Sequence, residues 1–516
     1  MIFRLICSIF ALGLSFSALS QAEEKTPPNQ PKDHPNIVFI LADDMSYDSV
    51  SAFNDELGTM QTPRIDRLVK EGMTFTDGHS ASAVCTPTRY GLLTGRHCWR
   101  TRLKSQVLWP YGQPLLRDEE LTLPELLKEA GYNTGMVGKW HLGLHWKTKE
   151  GKIANSNIND DDRPWTGAAE KIKATEATID WSRACSGGPC DHGFDHWFGV
   201  GVPNFPPYIW IDHDKVMATP SVPKPKEMFG SDGLMVKGWK LEDILPGLRD
   251  AACKWITESA KKDEPYFLYM PLTSPHTPIS PSKEFAGRTK LPYIDFVIET
   301  DDVVGRVLDA VEKTGEADNT IVIFTADNGT ASAANFKQLV EHGVNVRNNF
   351  RAHKASIYEG GHRVPLIVRW PKHITPGSRI DQTVCLNDFM ATFAEMTGRK
   401  LKPSEGVDST SILPLITGKA TELPDRPCVV SHSYSGQYAI RDGEWKLILP
   451  MKKGDPFQLY NLKQDQKETE NLASQEEKRV KVMTATLMAY VKNGRSTPGP
   501  KQQNHEDQTS WHGLPW

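Results

Sequence analysis

Asn36-Ile37-Val38-Phe39-Ile40-Leu41-Ala42 is apolar without interruption after its first residue, and it stops at two carboxylates, Asp43-Asp44. A continuous apolar run rich in β-branched residues is the pattern of a strand buried on both faces of a parallel sheet. Three other stretches repeat it. Thr320 to Ala326 ends at Asp327-Asn328, Tyr266 to Leu272 leads into Ser274-Pro275-His276, and Thr134 to Val137 leads into Gly138-Lys139-Trp140-His141. Helical patterns lie between them: Leu121 to Ala130, with Thr122 and Glu125 at capping-box spacing and Gly131 as a stop, and the stripe Val304, Leu308, Val311 closed by Gly315. Strands alternating with helices predict an α/β fold. Ligands of such sheets bind beyond the carboxyl ends of the strands, so the polar residues that end these four strands should meet in one crevice.

Further along, the pattern changes. Tyr438 to Arg441, the turn Asp442-Gly443 and Trp445 to Leu449 predict a hairpin, and Phe457 to Leu462 a further strand. Ser474 and Glu477 have capping-box spacing ahead of a helix with Val480, Met483, Leu487 and Val491 on one face and Gly494 as its stop. Residues 401–516 are thus expected to form a smaller α+β domain after a catalytic domain at 35–400, with a polar tail whose Trp511 and Trp516 suggest docking.

At the other end, Arg4, the apolar run Leu5 to Leu19 and Ser20-Gln21-Ala22 read as a signal peptide over residues 1–22, with an uncleaved anchor as the alternative. Residues 23–34 read as a Pro-rich linker. The expectation is a secreted or periplasmic protein with no membrane attachment after cleavage. A net charge of −4 gives no reason to expect nucleic acid as a partner. The only Asn-x-Ser/Thr sequon of the mature chain, Asn328-Gly329-Thr330, falls on a candidate ligand, which favours a bacterial source over a glycan-tagged lysosomal one. Beyond Cys7, seven cysteines remain, so at least one is unpaired. Cys185 and Cys190 enclose the turn-prone Ser-Gly-Gly-Pro and could be bridged; Cys98, Cys253, Cys385 and Cys428 could pair or be buried.

Asp43, Asp44, Asp327 and Asn328 offer oxygen donors without thiolate, a set that suits a hard cation such as Ca²⁺ or Mg²⁺. Alone, such pairs after a strand are usually helix caps or solvated loops. Other motifs accompany them: Cys85-Thr86-Pro87-Thr88-Arg89 running on to Leu92-Leu93-Thr94-Gly95-Arg96, Gly131 to His141, Thr325-Ala326-Asp327-Asn328-Gly329, and Tyr358-Glu359-Gly360-Gly361-His362-Arg363-Val364-Pro365. On these the chain resembles the formylglycine sulfatases of the alkaline-phosphatase-like superfamily, from about residue 35 to 400 and more weakly beyond. The resemblance implies a large mixed, mostly parallel sheet sandwiched by helices.

It also implies that a formylglycine-generating enzyme reads Cys85, Pro87 and Arg89 in the unfolded chain and converts Cys85 to formylglycine. By the same resemblance the aldehyde hydrates, one hydroxyl attacks sulfur with metal activation, and the other expels sulfate and restores the aldehyde. Asp43, Asp44, Cys85, Asp327 and Asn328 would hold Ca²⁺, with Mg²⁺ the lesser candidate. Arg89 would hold the modified side chain, Lys139, His276 and Lys354 would bind sulfate, His141 would orient the diol, and His276 would protonate the leaving oxygen. His353 and His362 are read as ordinary side chains. Some relatives place a serine near the sulfate where this chain has Val202-Pro203-Asn204-Phe205-Pro206-Pro207, with Asn204 as the nearest equivalent.

The implied substrate is a sulfated carbohydrate, a polysaccharide or glycosaminoglycan fragment; Tyr208, Trp210, His213, Lys215 and Trp239 of the 201–239 insertion are candidate sugar contacts, with local packing of the aromatic residues in a Pro-rich loop as the equal alternative. A small aryl or alkyl sulfate is the alternative. Phosphatases and phosphonate hydrolases of the same fold use Thr or Ser, or several metals, which the Cys-x-Pro-x-Arg signal disfavours. A non-catalytic glycan binder would have lost candidate residues, and none is missing.

Overall fold

A strand that is apolar on both faces needs a layer of helices on each side of it, and this is what the chain builds. The structure is a computed structural model that describes residues 34–505. The signal segment 1–22, nearly all of the linker, and Trp511 and Trp516 lie outside these described residues. Ten strands form one sheet: β1 (Asn36–Ala42), β2 (Met73–Phe75), β3 (Asn133–Lys139), β4 (His196–Val200), β5 (Ile211–Asp212), β6 (Lys215–Val216), β7 (Tyr266–Pro271), β8 (Thr320–Ala326), β9 (Leu366–Arg369) and β10 (Ser378–Ile380). Their spatial order is β10-β2-β9-β8-β1-β7-β3-β4-β5-β6. The central block from β8 to β4 is parallel, while β9 pairs antiparallel with both β8 and β2, and β5 and β6 close the far edge antiparallel. The sheet is therefore mixed and mostly parallel at its centre, as the resemblance implies.

The period of two along β1 divides its side chains between two cores. Ile37, Phe39 and Leu41 enter one cluster, and Val38, Ile40 and Ala42 enter the other. On the first side pack α1 (Cys85–Thr94), α2 (Leu123–Glu129) and α5 (Phe389–Met396); on the second, α3 (Ile244–Ser259) and α4 (Pro292–Lys313). The capping box of Thr122 and Glu125 forms at the start of α2 as expected. The stripe Val304, Leu308, Val311 belongs to the second half of α4, whose start at Pro292 uses a proline at the first helical turn, where no amide hydrogen is needed.

The C-terminal region is an antiparallel sheet of β11 (Val429–His432), β12 (Tyr438–Asp442), β13 (Trp445–Ile448) and β14 (Gln458–Asn461), covered by α6 (Glu477–Lys492). Val480, Met483, Leu487 and Val491 bury against Val430, Ile440, Leu447 and Leu459, with Trp99 entering from the larger sheet's side of the chain. Two expectations need correction. The α6 helix starts with Glu476 as N-cap and no side-chain cap, so Ser474 does not form the predicted box. Cys185 and Cys190 are free thiols here, like every other cysteine from Cys85 onward.

Buried ion pairs tie the two regions together. Arg100, just beyond α1, makes a two-pronged contact with Asp408, both hydrogen bonds 2.7 Å long. The amides of His97 and Ser496 also donate to the Asp408 carboxylate. Farther along, Lys446 of β13 bridges Glu359 and Glu468 at 3.0 and 2.8 Å. His362 sits in that same buried network, 3.2 Å from Lys446 Nζ and 3.0 Å from His79 Nδ1, which agrees with its reading as a structural histidine.

Candidate active site

The four strand ends converge as expected. Asp43 and Asp44 follow β1, and Asp327 and Asn328 follow its parallel neighbour β8, in a register that pairs Ala42 with Ala326. Asp44 takes a left-handed φ of 66°, which aspartate tolerates better than most residues, and its amide donates to Asp327 Oδ1 at 3.1 Å. Lys139 ends β3. Its neighbour Gly138 has φ 146°, and a Cβ there would lie 1.9 Å from the Pro271 carbonyl oxygen, so glycine is what lets β3 run this close to β7. The Glu359-Gly360-Gly361-His362 turn works in the same way: a Cβ on Gly329 would meet the Gly360 carbonyl oxygen at 1.9 Å. The glycines of these two motifs thus press Asn328 and its loop into place.

Cys85 is the first residue of α1 and is 2% exposed. Its Sγ lies 3.7 Å from Asp43 Oδ1 and 3.5 Å from Lys354 Nζ. One turn on, Arg89 is fully buried; its guanidinium donates to Asp327 Oδ2 at 2.7 Å and to the Lys139 carbonyl at 3.0 Å, and lies 3.6 Å from Asp43. Lys139 Nζ donates to Asp43 Oδ2 at 2.6 Å and Lys354 Nζ to Asp44 Oδ1 at 2.5 Å. Lys354 is held between Ala352 and Ala355, both in the left-handed region at φ 66° and 75°. Each costs about 1–3 kcal/mol, the kind of backbone strain that clusters at functional sites. His276 Nε2 is 3.7 Å from Asp44 Oδ2. His141 Nε2 donates to the Leu108 carbonyl at 3.0 Å, which fixes the tautomer and leaves a buried Nδ1 without a partner.

The electrostatics follow from this packing. Burial opposes ionisation of Asp43, yet Lys139, His276, Arg89 and Lys354 together hold it well below the usual carboxylate range. Burial and the charge of Asp43 push Asp327 up to about 7, against the pull of Arg89. Burial pushes the Cys85 thiol up to about 12 despite Lys139 and Lys354, and lowers His276 to about 4 despite Asp44. His141 is driven well below its ordinary value by burial and by Lys139 and Arg89.

The residues fit a hard divalent cation on two counts. Asp43, Asp44, Asp327 and Asn328 present oxygen donors from adjacent strand ends, and Asn328 Oδ1 is buried with no partner while its Nδ2 is bonded to Asp44 and Gly329. Asp43, Asp44, Cys85 and His276 bring ligand-type atoms within 4.8 Å of one another. The site opens on a cleft of about 370 Å³ lined by Cys85, His141, His276 and Lys354. Asn204, the candidate for the missing serine, lines it too, with a buried Oδ1 that has no partner.

The expected sugar contacts are placed differently. Tyr208 is buried and donates to the Ser231 carbonyl, Trp210 stacks on Phe198 and packs near Trp239, and His213 and Lys215 sit at the β5–β6 edge; none lines the cleft. Its walls carry Trp109, Trp165, Phe205 and Tyr434 instead, which sequence reasoning missed because they come from separate loops without a periodic pattern. His353, read as an ordinary side chain, lines the cleft as well.

The model of the family described as Sulfatase matches residues 35–399, and a model described as "N-sulphoglucosamine sulphohydrolase, C-terminal" matches residues 350–495. An N-acetylgalactosamine-6-O-sulfatase of Bacteroides thetaiotaomicron is 31% identical over 89% of this chain and 93% of its own length. The N-acetylgalactosamine-6-sulfatase of Homo sapiens is 30% identical over 76% of this chain and 67% of its own. A solved structure described under metabolism of multiple glycosaminoglycans by Bacteroides thetaiotaomicron superposes with a TM-score of 0.74 at 26% identity, covering 88% of this chain and 99% of that one.

Proposed function

The chain belongs to the sulfatase family and is a sulfuric ester hydrolase, and we propose that it desulfates carbohydrates with a nucleophile made from Cys85 beside a bound calcium ion. One observation carries the reading: Cys85, inside the Cys-Thr-Pro-Thr-Arg signal, faces an open cleft at the point where Asp43, Lys139, Lys354 and His276 converge. As a thiol it is buried and protonated, a poor nucleophile. Hydrated formylglycine at this position with a divalent ion beside it would supply a hydroxyl of lowered pKa, a second hydroxyl for release of sulfate, and charge opposite the sulfate oxygens.

The chain's own residues do the rest. Asp43, Asp44, Asp327 and Asn328 would hold the ion, and Arg89 fixes the Asp327 carboxylate. The charges of the three aspartates are balanced by Arg89, Lys139 and Lys354, so a divalent ion leaves the site with a positive excess suited to a sulfate ester anion. Lys139 and Lys354 orient sulfate oxygens. His141, with Nε2 committed to Leu108, keeps Nδ1 as an acceptor for a hydroxyl at residue 85. His276 reaches the cleft where the leaving oxygen departs and donates its proton there. Residues 1–22, read as a signal peptide, support an extracytoplasmic reaction, in the periplasm or outside the cell.

The relatives' names make a 6-sulfated N-acetylgalactosamine the first saccharide to test. Assay of a panel of defined sulfated saccharides and small aryl sulfates should find turnover on a saccharide, and peptide mass spectrometry across Val84 to Arg89 should find an aldehyde at Cys85. Turnover of small esters alone overturns the substrate class. Unmodified cysteine in fully active protein overturns the nucleophile.

A further inference from the structure

Trp165 is 62% exposed and lines the cleft over Cys85. The other large hydrophobic side chains with strong exposure among the described residues, such as Met217, Phe229 and Val482, lie outside that cleft. Leaving an indole in water forfeits about 25 cal/mol for every Å² of apolar surface that packing would have buried. The side chain is nevertheless held in a defined place: the buried Trp109 meets it edge to face, with ring centroids 4.6 Å apart and planes at 85°, and Phe205 backs Trp109 at 5.6 Å. A braced aromatic ring with a free face, set in the same cleft as a hydrolytic site, is built to receive something flat and apolar.

A pyranose ring has such a face, formed by its axial C–H groups, while its hydroxyls point outward and need hydrogen bonds. Asn204 lines the same cleft, and its side-chain amide is of a type that hydrogen-bonds such hydroxyls. We infer that Trp165, braced by Trp109, is the stacking platform for the substrate's sugar ring, with Asn204 hydrogen-bonding one of its hydroxyls. This assignment rests on the carbohydrate reading above. It makes Trp165 a binding residue that acts on affinity and leaves the bond-breaking groups untouched.

The test uses the full-length, modified enzyme and the saccharide sulfate it turns over best. Trp165→Ala should raise KM about five- to twentyfold, the scale of losing one buried aromatic contact, while kcat stays within about twofold. Calorimetric titration with the desulfated saccharide should show affinity falling by a similar factor, and Trp165→Phe should recover most of it. Because Trp165 is exposed, its removal leaves the packed core intact, and thermal unfolding of the variant should match the wild type. Saccharide turnover with KM and product affinity unchanged in Trp165→Ala overturns the platform while leaving the carbohydrate reading standing. Wild-type enzyme that hydrolyses only small esters overturns both.

Discussion

His276 carries the most specific mechanistic claim on a single side chain. Burial lowers it to about 4 despite Asp44, so the proposed acid role requires that the substrate's sulfate anion favour the protonated form. A sugar alcohol is a poor leaving group and needs that proton, whereas an activated phenolate leaves without one. General acid catalysis contributes about 10²–10⁴-fold, so His276→Ala should cost far more on a sugar sulfate than on an aryl sulfate with a good leaving group. Equal losses in kcat/KM on the two esters would make His276 a binding residue and transfer the acid role to Lys354. At this scale the sequence was informative wherever a residue ends a strand or belongs to a local motif: Asp43, Asp327, Lys139 and Cys85 all meet. The walls of the cleft were not legible. Trp109, Trp165 and Tyr434 reach it only through loop paths that no local pattern encodes, and Tyr208 and Trp210 carry the same aromatic character but spend it on packing against their own insertion.

Between elements, the Arg100–Asp408 contact fastens the segment after α1 to the chain leading into the C-terminal sheet. Burial alone would raise the Asp408 carboxyl, but Arg100 and the His97 and Ser496 amides hold it well below its ordinary 3.8. A depressed carboxyl contributes stability that is present above its unfolded pKa and lost as pH falls below it. Asp408→Asn leaves the Arg100 charge buried without a counter-charge and should cost about 3–5 kcal/mol at neutral pH. Denaturant unfolding of wild type and variant should differ most at pH 7, with the gap starting to narrow only below about pH 4 and narrowing further as the pH is lowered beyond that; a gap that stays constant down to the most acidic pH at which both still fold would mean that the carboxylate charge contributes nothing. The elements around this clamp were read with uneven success. The β12–β13 hairpin was evident from Asp442-Gly443 between two apolar runs, whereas β11 gave no signal because Val429–His432 is only four residues long. The capping spacing of Ser474 and Glu477 misled because the helix begins later than the box requires: Glu476 is its N-cap and Glu477 its first residue, while the Leu472 carbonyl accepts from Gln475 and Glu476 in the turn before it.

For the molecule as a whole, the two cores meet across a central pair of strands whose carboxyl ends carry the acidic ligands. A cation bound there, as proposed, would tie β1 to β8 and stabilise the fold by mass action. Chelation should therefore lower Tm and abolish turnover, both restored by calcium; Asp327→Ala should be inactive and insensitive to calcium in scanning calorimetry. Normal turnover by thoroughly chelated protein would remove the metal from the site. The alternation of buried strands and helices made this architecture legible, because a run apolar on both faces admits few other solutions. The same strand order has a consequence for how the protein is made. Arg89 and its partner Asp327 are 238 residues apart in the chain, and the central sheet cannot close over Cys85 before β8 has been synthesised. At roughly 5–20 residues per second, the ribosome leaves an interval of about 10–50 s in which Cys85 is exported from the tunnel yet not enclosed. If Cys85 is modified on the extended chain, as proposed above, the maturation enzyme has that interval to act, and slowing elongation between β1 and β8 should raise the fraction of molecules that emerge catalytically competent.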